Sequence, residues 1–272
     1  MPELPEVESV RRSLERAIVE RRVEELWSSG LAMRRVPEPK ALREALLQQR
    51  FLRPERRGKY LQLWLGSGDC LLVHLGMSGR LLVQDSSSEL VAHTHLRLRL
   101  DDEQELRLID PRRFGFYDLL PRGQHDPSLE ALGLEPLAPD FGQRFVQVMR
   151  QRERPVRSLL LDQHVIAGLG NIYVAEALWR AKVHPRSMAS SLSERRLRRL
   201  AKEIRAVLDD ALAASGTTLR DYRSPDGLPG YFAVSLAVYG REGLPCTRCE
   251  SGIQRVQDAG RSSFFCPHCQ RS

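Results

Sequence analysis

The chain has 272 residues, 42% of them hydrophobic, and a formal net charge of +7 at neutral pH carried mainly by arginine. That length accommodates two domains with their own cores, and the basic balance suits a polyanionic partner. No long uninterrupted apolar run is present, which speaks against a membrane-spanning helix, and Glu3, Glu6 and Glu8 interrupt any secretory leader, so the expected location is the cytoplasm. In that compartment five cysteines are not expected to form a disulfide framework.

The chain opens Met1-Pro2-Glu3-Leu4-Pro5-Glu6. Removal of Met1, which the small Pro2 permits, leaves a secondary amine beside two carboxylates. An α-amino group titrates near pH 8, so part of it is a free nucleophile at neutrality. A secondary amine that condenses with an aldehyde-type carbon gives an iminium with no N–H proton to lose, which remains an electron sink for elimination. The same residues also suit the first turn of a helix, where proline and acidic side chains match the free N–H groups and the dipole.

From Glu3 to about Arg22, apolar Val7, Val10, Leu14, Ala17 and Ile18 recur at spacings of three and four, predicting an amphipathic helix. A second helical pattern covers Pro39 to about Gln49. Strands are predicted at Phe51–Leu52, Tyr60–Leu65, Cys70–Leu75, Leu81–Val83, His95–Leu100 and Glu105–Ile109, with hairpin turns at 66–69 and at Asp101-Asp102. Together they predict an α+β chain whose first domain, residues 1–120, is an antiparallel β-sandwich with flanking helices. Cys70 reads as a buried thiol. Lys59, just before a strand, is either an exposed edge lysine or a cation aimed at a phosphate. Met77, between Gly76 and Gly79, is either a loop tip or a core residue. In Asp110-Pro-Arg-Arg-Phe-Gly115, Arg112 and Phe114 share side-chain parity, which sets a guanidinium beside an aromatic ring. Such a pair suits a duplex as donor fork and wedge, although Arg-Arg-Phe is also a common surface turn.

Residues 121–139 are rich in Pro and Gly and read as a linker. A helical domain follows over 140–235, with helices at Phe141–Arg150, Pro155–Asp162, Ile172–Arg180 and Ser193–Ala214. Between two of them, Gly168-Leu-Gly-Asn171 opens directly into a helix, as a phosphate-binding N-terminus or a plain helix-turn-helix corner. The arginines of the last helix read mostly as a solvated face. The polar stretch from Gly216 to Phe232 reads as a lid or a disordered loop. In the final segment, 236–272, Cys246-x2-Cys249 and Cys266-x2-Cys269 are separated by sixteen residues, the spacing of a four-thiolate structural zinc site with a hairpin between its knuckles. Arg255 and Arg261 fall on that hairpin, and His268 is not needed as a ligand.

With these residues in hand, the whole chain resembles the bacterial formamidopyrimidine-DNA glycosylase family. The resemblance is carried by Pro2-Glu-Leu-Pro-Glu6, Arg57-Gly-Lys-Tyr60, His74-Leu-Gly-Met-Ser-Gly79, Asp110-Pro-Arg-Arg-Phe-Gly115, Gly168-Leu-Gly-Asn-Ile-Tyr173 and the four-cysteine finger, in that order. It implies excision of oxidised purines from damaged double-stranded DNA, followed by strand cleavage, by a monomer of the bacterial cytoplasm and nucleoid holding one structural zinc ion. By the resemblance, Pro2 is the nucleophile, Glu3 the general acid and Glu6 a residue that positions the amine. Lys59 and Arg261 grip the backbone beside the lesion, while Asn171, His93 and Arg157 contact DNA. Met77, Arg112 and Phe114 fill the space of the extruded base, with Arg112 facing the orphaned cytosine. Arg157 stands where the family usually has lysine, and Ser263 where threonine is usual. The alternatives are a related endonuclease VIII-like enzyme for oxidised pyrimidines, or a non-catalytic zinc-finger DNA-binding protein.

Overall fold

The computed structural model describes residues 2–214, 235–258 and 260–271. These fall into two compact units, one ending at Glu130 and the other beginning at Ala131. Met1 and the whole of the expected lid, Gly216 to Phe232, lie outside the described residues.

The first unit begins with helix α1 (Leu4–Ala17) and contains α2 (Pro39–Leu46), eight strands and the short α3 (Pro127–Glu130). The strands are β1 (Val23–Ser28), β2 (Phe51–Arg57), β3 (Tyr60–Leu65), β4 (Cys70–His74), β5 (Arg80–Asp85), β6 (Thr94–Leu100), β7 (Gln104–Ile109) and β8 (Phe116–Leu120). They form two four-stranded antiparallel sheets, ordered β1-β6-β7-β5 and β2-β3-β4-β8. This is the expected sandwich. Its cause is the two-residue alternation: Leu61, Leu63 and Leu65 of β3 and Leu96, Leu98 and Leu100 of β6 face inward, while Arg97 faces outward and pairs with Glu105 at 2.8 Å. The stripe Val7, Val10 and Leu14 brings α1 into the same core cluster as Leu61, Leu98 and Tyr117. Each such side chain contributes roughly 1.5–3 kcal/mol when fully buried, so the helix carrying the N-terminus is firmly seated.

Several elements differ from the sequence expectation, among them strand β1, which is absent from the predicted strands, and β2, which runs on to Arg57. The first helix stops at Ala17 rather than near Arg22, because Glu20 adopts a left-handed φ of 64° and Val23–Ser28 pairs with β6. Cross-strand pairing there outweighs the continued apolar spacing. The second helix ends at Leu46, three residues early, where Gln48 (φ 63°) donates its N–H to the Val23 carbonyl at 2.8 Å. Strand β8 has no counterpart among the predicted strands. It is a short apolar run whose identity comes from its pairing with β4, which a local pattern does not reveal.

The second unit is built from α4 (Phe141–Arg150), α5 (Val156–Leu161), α6 (Asn171–Ala181), α7 (Glu194–Ala213) and a hairpin of β9 (Gln254–Asp258) and β10 (Arg261–Phe265). All four helices lie where their periodicity places them. Within the segment read as linker, Leu134 is buried and bridges to Ile166, so the chain is already packed into this unit before α4.

Candidate active site and nucleic-acid interface

The N-terminus is an N-cap as well as a chain end. Glu3 caps α1, and Glu6, three residues on, accepts the Glu3 backbone N–H at 2.8 Å in a capping box. Pro2 is buried, and Glu3 and Glu6 are only 3% and 2% exposed. The amide that follows Pro2 is therefore held by a carboxylate from within its own helix. One turn further, buried Glu8 gathers Arg11, Arg12 and Arg56, all within 3.2 Å. Burial alone raises the Glu8 carboxyl, but hydrogen bonding from Arg11 and the charges of Arg56 and Arg11 hold it below the usual carboxylate range. Arg56 also donates to the Gly58 carbonyl at 2.9 Å. This chain of contacts ties α1 to the β2–β3 turn that carries Lys59, which is 7% exposed and so is not a free edge lysine.

Two loops of the same unit carry the expected duplex-probing residues. Met77 and Phe114 are 40% and 43% exposed, large apolar groups presented at loop tips, and the Arg112 guanidinium lies 4.6 Å from the Phe114 ring centroid. The loops interlock through missing side chains. A Cβ on Gly76 (φ 61°) would lie 2.4 Å from the backbone of Phe114 and Gly115, and one on Gly115 would lie 2.7 Å from the His74 carbonyl. Fully buried Asp110 joins them: its carboxylate accepts the Ser78 hydroxyl at 2.6 Å and the Gly115 N–H at 2.8 Å. His95 Nε2 donates to the Asp110 carbonyl at 3.1 Å. His93 is exposed in the turn before β6, and its carbonyl accepts the Asp110 N–H at 3.0 Å.

Sequence reasoning missed Asp110, Ser78 and His74 as site residues. His74 Nδ1 accepts the Gly76 N–H at 3.1 Å, so the ring steadies the Met77 loop. Burial, with Arg34 and Lys59 nearby, holds it down to about 4, and it is neutral at physiological pH. The available signal was the polar residues inside the two glycine loops, whose small neighbours leave no other partner for a buried loop backbone.

In the second unit, Gly170 caps α6 and Asn171 is its first residue, while Gln163 fixes the preceding turn by accepting the Gly168 N–H at 2.9 Å and donating to the Leu169 carbonyl at 2.9 Å. The structure brings Arg157 and Asn171 together. Arg157 Nη2 donates to Asn171 Oδ1 at 2.8 Å and to the Ser262 carbonyl at 3.0 Å, and Asn171 Nδ2 donates to the same carbonyl at 2.8 Å. This arrangement fixes which way the Asn171 amide faces and ties the helix start to β10, whose first residue, Arg261, is exposed. Burial and the neighbouring Arg261 lower the Arg157 guanidinium, with Asp258 opposing.

The four cysteines Cys246, Cys249, Cys266 and Cys269 place their sulfurs within 4.8 Å of one another. A tetrahedral zinc ion with Zn–S bonds near 2.3 Å needs sulfurs roughly 3.8 Å apart, and Cys249 lies 3.4 Å from both Cys266 and Cys269, so the donor set fits zinc. Trp179 of α6 donates its indole N–H to Cys246 Sγ at 3.5 Å, an outer contact of the kind that orients metal ligands. Glu176, also on α6 and buried, accepts the N–H groups of Ala237, Val238 and Tyr239 within 3.0 Å and so moors the approach to the finger. His268 is exposed and outside the cluster.

Comparison with known proteins agrees with this geometry. Residues 1–117 match the formamidopyrimidine-DNA glycosylase N-terminal domain, residues 132–223 its H2TH domain, and residues 243–271 the zinc finger found in FPG and IleRS. Formamidopyrimidine-DNA glycosylases of Marinobacter nauticus and Rhizorhabdus wittichii are 42% and 45% identical, each covered completely, as is this chain. Among solved structures, MutM (FPG) of Thermus thermophilus superposes with a TM-score of 0.87 at 42% identity, covering 99% of this chain and 98% of that one. Lactococcus lactis Fpg bound to DNA containing an abasic site gives 0.91 at 34%, covering 99% and 100%. The chain belongs to the formamidopyrimidine-DNA glycosylase family.

Proposed function

We propose that the protein is a DNA glycosylase of base excision repair that removes oxidised purines, 8-oxoguanine and formamidopyrimidines, from duplex DNA and then cleaves the strand at the resulting site. The observation that carries this reading is the buried Pro2 at the start of α1, with Glu3 beside it and the intervening backbone held by Glu6. The Pro2 nitrogen attacks C1′ as the glycosidic bond breaks, and Glu3 supplies the proton needed by the sugar ring oxygen or the departing base. The resulting iminium draws electrons from the sugar, so successive β- and δ-elimination expel the 3′ and 5′ phosphates and leave a one-nucleoside gap. Relatives described in complex with Fapy-dG, abasic-site and carbocyclic 8-oxo-G DNA support this substrate class.

Extraction of a base from the stack costs a few kcal/mol. Met77 and Phe114 are the exposed apolar groups suited to filling the vacated space, with Arg112 offering its donors to the unpaired cytosine. Lys59, Asn171 and Arg261 hold backbone phosphates. His93 adds a further contact, and Arg157 acts by orienting Asn171. Zinc, bound by the four cysteines, is structural: it folds the hairpin that presents Arg261 and takes no part in the bond changes. The catalytic domain extends to residue 120 and is followed by a linker over 121–139, the helical domain over 140–235 and the finger over 236–272. Such an enzyme works as a monomer in the bacterial cytoplasm, at the nucleoid.

Borohydride trapping on a duplex with 8-oxoguanine opposite cytosine tests the chemistry. The wild type is expected to give a covalent adduct mapping to Pro2 in protein whose intact mass lacks Met1, and Pro2→Gly is expected to reduce its yield sharply. Binding without an adduct on this duplex, on an abasic site and on an oxidised pyrimidine would leave only a DNA-binding protein.

A further inference from the structure

Helix α6 has its phosphate-gripping residue, Asn171, at one end and a different cationic feature at the other. Where α6 finishes and α7 starts lies a cleft of about 380 Å³ lined by Ala181, Lys182, Arg195, Arg196 and Arg199, with no carboxylate among its lining residues. The contrast with the surrounding surface is informative. Arg150, Arg180, Arg186, Arg198 and Arg205 all make ion pairs with Asp or Glu at 2.6–3.2 Å. Among the described residues, none of the four cleft cations has such a partner. Two are steadied by backbone: Arg196 Nη2 donates to the Arg271 carbonyl and Arg199 Nη2 to the Arg180 carbonyl, each at 3.2 Å. A guanidinium carries five N–H donors, so each keeps most of them for an oxyanion. Lys182 caps α6 in the left-handed conformation (φ 58°) and is exposed.

Four cations around one cleft repel each other unless a counter-charge joins them. Arg195 and Arg199 stand on one face of α7 about 6 Å apart along its axis, a spacing suited to successive charges on a polymer rather than to one small ion. The site is separate from Asn171, because the 11 residues of α6 set the two ends about 16 Å apart.

We infer that Lys182, Arg195, Arg196 and Arg199 form an accessory binding site for the phosphodiester backbone of a second, undamaged DNA segment. One molecule then holds two stretches of DNA at once, which allows direct transfer between them during the search for damage. This rests on the proposed function only in taking the lesion duplex to occupy the Asn171 end.

The test fills the primary site first. Full-length protein is saturated with an unlabelled duplex containing a tetrahydrofuran abasic analogue opposite cytosine, and a short fluorescent undamaged duplex is then titrated in and followed by anisotropy over a range of salt. The wild type is expected to bind the second duplex with a log–log salt slope of about −2 to −4, roughly −0.9 per phosphate neutralised. The Lys182→Gln/Arg195→Gln/Arg196→Gln/Arg199→Gln variant is expected to lose about tenfold or more in affinity at low salt and most of the slope. An Arg198→Gln/Arg205→Gln control, which removes ion-paired charge from the same helix, is expected to bind like the wild type. Borohydride trapping yields on lesion DNA are expected to match in all three, showing that the fold is intact. Absence of second-duplex binding by the wild type, wild-type binding by the quadruple variant, or an equal loss in the control would each overturn the inference. Failure of wild-type trapping with second-duplex binding preserved would instead count against the proposed chemistry and leave this site standing.

Discussion

Two probing loops depend on the buried carboxylate of Asp110, which makes it the place to perturb first. It receives the Ser78 hydroxyl at 2.6 Å, the Gly115 N–H at 2.8 Å and, more weakly, the Arg112 N–H at 3.3 Å. A hydrogen bond to a charged group contributes about 1.5–3 kcal/mol. Asp110→Asn keeps the shape. Its amide can turn its oxygen to Gly115 and its nitrogen to the Ser78 oxygen, so the loss is the charge and the Arg112 contact, about 2 kcal/mol of local stability. Ser78→Ala removes one donor at a similar cost. Because the two share a bond, the double variant is expected to lose less than the sum, with a coupling of about 1 kcal/mol or more. Amide hydrogen exchange in the full chain, read in peptides covering 75–79 and 110–115, reports the local opening energy. There, about 2 kcal/mol appears as roughly thirtyfold faster exchange under native conditions. Borohydride trapping on 8-oxoguanine DNA is expected to fall in parallel, since loosened loops no longer present Met77 and Phe114 together. Additivity within about 0.3 kcal/mol, or unchanged exchange at Gly115, would refute the proposed bracing.

Three further outcomes are expected. Elemental analysis is expected to give one zinc per chain, and chelation to unfold the hairpin and abolish tight duplex binding while exchange protection of the two sheets persists, because only the finger depends on the metal. The Glu8 carboxyl is lowered in the folded state, so its stabilising contribution is present above the unfolded value near 4.5 and disappears as pH falls through the folded value. Exchange of α1 amides is therefore expected to accelerate selectively as pH falls below that unfolded value, and an equal loss of α1 protection at pH 6 would count against the Arg11 and Arg56 contacts. Arg157→Ala leaves Asn171 Oδ1 without that donor and frees its amide to turn, with an expected loss of about tenfold in duplex affinity, equivalent to about 1.4 kcal/mol. Arg157→Lys, with an ammonium able to reach either acceptor, is expected to recover much of it, and indistinguishable affinities for all three proteins would show that the contact does not orient Asn171.

How much was legible followed from how local each cause is. The sandwich was readable because Leu61, Leu63 and Leu65 alternate with half-exposed Tyr60, Gln62 and Trp64, and α4 because its apolar residues hold to one helical face. The zinc site was readable because ligand spacing is itself sequence information. Strand β1 was hidden, since Val23–Ser28 follows a helical pattern and becomes a strand only by pairing with residues roughly seventy positions later. The same limit applied within the site. Pro2, Glu3, Lys59 and Asn171 belong to short ordered motifs, whereas the bracing roles of Asp110, His74 and Gln163 arise from contacts that no spacing encodes. Arg157 was noticed only as a departure from lysine, and its grip on both Asn171 and Ser262 needed three separate segments to be placed at once.

The interlocked loops also shape what mutation can do at this site. Gly76 and Gly115 are fitted by atoms they lack, with neighbouring backbone closer than 3 Å to where a Cβ would stand. Every single-base change in a glycine codon that substitutes another amino acid adds that carbon. Neither position therefore has an amino-acid replacement one base change away that avoids the clash, and no side chain elsewhere can compensate, because the obstruction is main chain. Drift can rewrite ion-paired surface positions of α7 such as Arg198 and Arg205 one at a time, but these two loops can change only together with the path of the backbone itself.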